Sequence, residues 1–139
     1  MIRPFLLALL LAAGVPALAG ARDGAGQLPC NPEGSQVELN ACAANELAAA
    51  DAELNATWRE VLKRLGDDAV AVDRLKTAQR LWIQLRDADL EAQFPLAEGQ
   101  DPRMQYGSMY PMSFASAKAE LTRQRTGYLR AQFLADVPY

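Results

Sequence analysis

Apolar positions in the middle of this chain recur at spacings of three and four. Leu39, Ala43, Leu47, Ala50, Leu54, Trp58, Val61 and Leu65 form one such series, which is the signature of a single helical face. Ser35-Gln36-Val37-Glu38 precedes it. That order fits a capping box, in which the serine oxygen takes the third amide and the glutamate returns a bond. Gly66 supplies a stop. The spacing predicts a helix over 36–65, roughly 45 Å long. Asp67 or Asp68 caps a second helix whose inner residues are Val72, Leu75, Gln79, Trp82 and Arg86. It ends before Pro95, because the residue preceding a proline disfavours helical geometry. Residues 95–111 hold three prolines and two glycines without a period and read as a long loop, a kind of segment that is often functional. A third helix begins between Pro111 and Ser113, with Leu121, Arg125, Tyr128, Leu129 and Phe133 inward. Gly127 marks a close approach of a neighbouring helix. No strand-period run occurs. The expected fold is all-α: a long helical hairpin plus a third helix, in one small domain, with one disulfide near the start of the first helix.

The beginning of the chain changes this picture only by removing residues from it. Arg3, the apolar run Phe5 through Val15, and Ala17-Leu18-Ala19 have the basic, apolar and small-residue order of a secretory signal. Ala19-Gly20-Ala21 is a second cleavage site. The division expected is a signal peptide over 1–19, a Gly/Ala/Pro-rich arm over 20–34 and a helical domain over 35–139. The apolar run is too short to span a bilayer comfortably, so no stable membrane insertion is expected after cleavage. Without Arg3, 13 basic residues face 17 acidic ones, a net of −4. No basic tract argues for nucleic acid, and mild acidity suits either plain solubility or a basic partner. The location expected is periplasmic or secreted. There, Cys30 and Cys42, the two cysteines of the chain, are expected to pair. Two free thiols or a metal pair are the alternatives, but a chain without histidine lacks the usual ligands of a structural zinc site.

Candidate chemistry is sparse. There is no histidine base, no Gly-x-Ser-x-Gly turn and no phosphate loop, so nucleophilic catalysis lacks its parts. Asp87 and Asp89, two apart on a helix, point away from each other and form no acid–base pair. Neither an enzyme nor a cofactor is expected. Two constellations remain. Gln79, Trp82, Ile83 and Arg86 share one stripe of the second helix, with Asp87 beside it. Asp51 and Asn55, one turn apart near Leu54 and Trp58, are expected to meet Gln79, Arg86 and Arg125 in a polar network. Such a network either sets helix register or offers a partner surface, and Arg86 can also stack on Trp82. The second is the loop Tyr106-Gly107-Ser108-Met109-Tyr110-Pro111-Met112, whose aromatics and thioethers suit a protein contact. In the simpler alternative Tyr110 and Met112 fold back over the end of the bundle.

Four stretches in order carry a resemblance. They are Glu38-Leu39-Asn40-Ala41-Cys42-Ala43, Asp51-Ala52-Glu53-Leu54-Asn55, Ala78 through Asp89, and Gly107-Ser108-Met109-Tyr110-Pro111-Met112 followed by Leu121-Thr122-Arg123-Gln124-Arg125-Thr126. Together they resemble the LprI-like lysozyme-inhibitor N-terminal domain family of exported bacterial proteins. The family pattern carries two further cysteines, where this chain has Leu90 and Ala117. Loss of both as a pair leaves no orphan thiol. It also leaves the 95–111 segment without a crosslink, so that segment is expected to be more mobile than in a four-cysteine relative. Tyr106 stands where the family has the first glycine of a turn. The resemblance implies a non-enzymatic envelope domain that in some members inhibits lysozyme. The expected partner is therefore a protein, a lysozyme first. The alternative is a structural or accessory module that binds another protein or a small ligand.

Overall fold

The computed structural model describes residues 29–135, and the expected signal peptide and most of the arm lie outside these. The fold is all-α with no strand among the described residues. Helix α1 spans Gln36–Leu65, α2 spans Ala69–Gln93, a short α3 spans Pro102–Tyr106, and α4 spans Tyr110–Leu129. A 3-10 turn, Gly107–Met109, leads into α4, and a π turn, Arg130–Leu134, continues it.

The ends of the helices follow the local chemistry. Before α1, the Glu38 carboxylate accepts bonds from both the backbone N–H and the hydroxyl of Ser35, each at 2.8 Å. Gly34 leaves room beside it, since a Cβ there would require the Glu38 carboxylate to shift. Gly66 closes α1 at φ 56°, its N–H donating to the Leu62 carbonyl at 3.2 Å. The Asp68 carboxylate then caps α2 by accepting from the Ala71 N–H at 2.9 Å. These bonds have a pH signature. The backbone N–H of Ser35, and then its hydroxyl, favour the charged carboxylate and hold Glu38 below its ordinary value of 4.5. A depressed carboxylate adds stability above its unfolded pKa and loses it as pH falls through the folded one. The melting temperature is therefore expected to fall below about pH 4.5 with a shallower slope in Glu38→Gln, which keeps the acceptor but not the charge. Identical slopes in a pH series of thermal melts would count against this.

The closest helix pair is α1 with α4, and α2 touches both more sparingly. Side-chain bonds from α1 to the α4 region join positions 68 to 77 apart: Asn40 to Ser108, Gln36 to Met112, Arg64 to Leu134 and Glu53 to Arg130. The two helices therefore run parallel, and α2 is the return stroke between them. Their buried residues explain the close approach. Ala115, Ala119, Thr122, Thr126 and Leu129 line α4 at alternating spacings of four and three, facing Ala43, Ala50, Leu54, Thr57 and Val61 of α1. Small side chains on a 3.5-residue seam let the axes come together. Larger residues gather where α1 and α4 end and α2 begins. There Leu54, Val61, Leu75 and Leu129 form the core, with Trp58, Leu62, Leu65, Trp82, Phe133 and Leu134 packed against it.

Three expectations need correction. The 95–111 segment is not a long loop. Asp101 caps α3 by accepting from the Arg103 N–H at 2.7 Å, and helical backbone runs from Pro102 onward. Gly127 marks no close approach, since a Cβ there would meet open space. Tyr128, taken as inward, is 51% exposed.

Candidate functional site

Two features flank the core. The first is a seam between α2 and α4. Gln79, Trp82 and Arg86 share one stripe of α2, as their spacing of three and four requires. Across from them, the Arg125 Nε of α4 donates to Gln79 Oε1 at 2.9 Å. The same guanidinium lies 5.7 Å from the Trp82 ring and 5.1 Å from the Tyr128 ring. Arg86 lies 5.1 Å from Trp82. Its Nε donates to Asp87 Oδ1 at 2.9 Å, with Nη2 at 2.7 Å from the same oxygen. Cation–π contacts contribute from about 0.5 kcal/mol at exposed sites to about 2 kcal/mol when desolvated, and these arginines are partly buried. Burial lowers the Arg125 pKa from its usual value, and the Tyr128 charge interaction works the other way. An arginine remains charged under such a shift. Asp51 and Asn55 do not enter the seam. No hydrogen bond or ion pair joins either to Gln79, Arg86 or Arg125 among the described residues. Asp51 is half-buried and Asn55 exposed.

The second feature is an aromatic cluster at the opposite end. Phe94, immediately after α2, sits 5.8 Å from the rings of Tyr106, Tyr110 and Phe114. Tyr106 stacks on Tyr110 at 5.7 Å, and Tyr110 meets Phe114 at 5.6 Å. Leu90, where the family pattern has a cysteine, is 1% exposed beneath this end. The Tyr106 hydroxyl donates to the Pro95 carbonyl at 2.7 Å and ties the segment across. Leu90, Glu91, Phe94, Leu96, Tyr110 and Phe114 border a cleft of about 400 Å³ here.

The residues of the candidate contact loop thus divide. Tyr106 and Tyr110 turn inward, and Ser108 uses its carbonyl to accept from Asn40 at 3.3 Å. Gly107 takes φ 73° and is exposed, so the positive φ falls on glycine and Tyr106 keeps an ordinary φ of −116°. The outward groups are Met104, 85% exposed, and Met109, 53% exposed. Met112 folds back, within 3.9 Å of Gln36 Nε2. Phe94 was the hub that sequence reasoning missed. The readable signal was the spacing of four in Tyr106, Tyr110 and Phe114, which puts three rings on one face and calls for an apolar partner.

Cys30 and Cys42 form a disulfide, with Cα atoms 4.8 Å apart, joining the segment before α1 to its second turn. Among the described residues no group of three or more His, Cys, Asp or Glu could hold a metal ion. No helix among them is long and apolar enough to cross a membrane.

The family model described as lysozyme inhibitor LprI matches residues 30–129, from the disulfide to the end of α4. The chain belongs to the LprI family. An uncharacterized protein of Rhizobium meliloti (strain 1021) is 42% identical to this LprI-family chain over 135 residues, covering 89% of each. The crystal structure of a DUF1311 family protein from Pseudomonas putida KT2440 is similar in fold, with a TM-score of 0.58 and 30% identity. That match covers 73% of the LprI-family chain and 95% of the other. In the LprI frame, the disulfide, the α1–α4 seam and the aromatic end all lie inside the matched region.

Proposed function

We propose that this chain is an exported, non-enzymatic protein of the bacterial envelope that binds and inhibits a lysozyme. The observation that carries the proposal is the match of residues 30–129 to the lysozyme inhibitor LprI family. Residues 1–19 serve as the leader, and residues 20–34 as an arm before the helical domain. The disulfide suits an oxidising compartment. Net acidity favours encounter with a basic lysozyme. The contact surface is the aromatic end. There Met104 and Met109 present adaptable thioethers outward, and the stacked rings beneath hold their backbone in place. A platform whose backbone is already fixed loses little backbone entropy on binding.

Purified chain lacking residues 1–19, in micromolar excess, is expected to slow cell-wall lysis by at least one of several lysozyme classes. Met104→Glu with Met109→Glu is expected to weaken inhibition roughly tenfold or more while leaving the thermal melt unchanged. Lysis rates unaffected across every class tested would overturn the inhibitor reading.

A further inference from the structure

A second cavity lies on the outer side of the α2–α4 seam. It is an open groove of about 300 Å³, at the lower end of the range for small-ligand pockets. Leu75 and Ala78 of α2 and the rings of Tyr128 and Phe133, 6.4 Å apart, give it a mostly apolar lining. Two cations line it as well, Arg74 and Arg125, and no carboxylate does. Arg125 is the unusual member. Its Nε is committed to Gln79, its Nη2 is buried without an acceptor, and no carboxylate pairs with it among the described residues. Three other arginines do pair with carboxylates among the described residues: Arg86 with Asp87, Arg123 with Glu120 and Arg130 with Glu53. A half-buried guanidinium without a counter-charge is costly in a protein of net negative charge that has acidic residues to spare.

We propose that this groove binds a small amphiphilic carboxylate. Its charged head lies toward Arg125 and Arg74, and its apolar body lies against Leu75, Ala78, Tyr128 and Phe133. The bound anion provides a counter-charge to the part of the Arg125 guanidinium that lines the groove, without reaching the buried Nη2, and the rings and alanine surface take the chain. The size of the groove favours a free small molecule over a segment of polymer. The site is separate from the aromatic end, so it stands or falls independently of lysozyme inhibition.

The test is calorimetric titration of the oxidised full chain without residues 1–19, using decanoate and, as the neutral probe of equal length, decanol. Decanoate is expected to bind at one site, at least about tenfold more tightly than decanol, since bonds to charged groups are the stronger class. Arg125→Gln is expected to erase that difference. Because Arg125 also holds Gln79, the exposed Arg74→Gln is the companion variant, expected to weaken decanoate and not decanol. Ala78→Trp, which fills the groove from an exposed position, is expected to abolish binding of both with the helical signal and melt retained. Absence of decanoate binding, equal affinity for the two probes, or unchanged decanoate affinity in Ala78→Trp overturns the proposal, whatever the lysozyme assay returns. Binding of an acidic peptide in place of decanoate would overturn it too.

Discussion

Ala119→Leu is expected to lower the melting temperature by roughly 10–20 °C. Ala119 is 0% exposed in the middle of the α1–α4 seam. Its neighbours along that face are Ala115, Thr122 and Thr126, opposite Ala43, Ala50 and Thr57. The two helices are close because these side chains are short. Three extra carbons have nowhere to go except between the backbones, and overpacking of this kind costs about 1–3 kcal/mol or more. In a domain of this size each kcal/mol moves the midpoint by about 4–8 °C. The control is Ala88→Leu on the solvent face of α2, expected within about 0.5 kcal/mol of wild type. Thermal circular dichroism of both variants checks the claim. A melt of Ala119→Leu within a degree or two of wild type would mean that the seam is looser than its burial indicates.

Reduction of the disulfide, or Cys30→Ser with Cys42→Ser, is the second large effect. The bridge closes a loop between positions 12 apart. In the chain-entropy account that restricts the unfolded state by about 3 kcal/mol. The bridge is local, since it ties the segment before α1 to the second turn of the same helix and spans no helix pair. The reduced protein can therefore fray over residues 29–34 while the α1–α4 seam stays shut. A lower melting temperature with an unchanged helical signal at 25 °C is the expected result. An unchanged midpoint after reduction would refute the contribution. Loss of helical signal at 25 °C would show that the bridge supports more than its own segment.

The two variants separate two kinds of information in the chain. The helix boundaries were legible because the groups that set them are sequence neighbours. Ser35 with Glu38, Gly66, Asp68 with Ala71, and Phe94 before Pro95 each act within about one turn. The stripe Gln79, Trp82, Arg86 was legible for the same reason, and so was the contact of Arg125 with Gln79 once the helices were assigned. Asp51 and Asn55 were read into that contact by helical face alone. A face says which residues share a direction and nothing about which helix lies in that direction. Thr57 and Leu90 were missed as core for related reasons. A threonine reads as polar until it falls on a small-residue seam, and Leu90 lies outside the series counted on α2. The 95–111 segment was misread because proline and glycine were counted as breakers. Pro102 instead sits at the first turn of α3, where a missing N–H costs nothing.

By itself, then, the sequence determined the class and the punctuation of this protein. It specified an all-α chain, where the first two long helices start and stop and where the third begins, which cysteines pair, and its family. The tertiary structure decided the partners. It set α1 beside α4 in parallel, turned Tyr106 and Tyr110 inward onto Phe94, left Met104 and Met109 outward, and placed Arg125 in a groove without a carboxylate. Hydrogen bonds at helix ends act over three or four residues and are written in short words. Pairing depends on the fit of whole faces more than 60 positions apart, and only the folded chain brings those faces together.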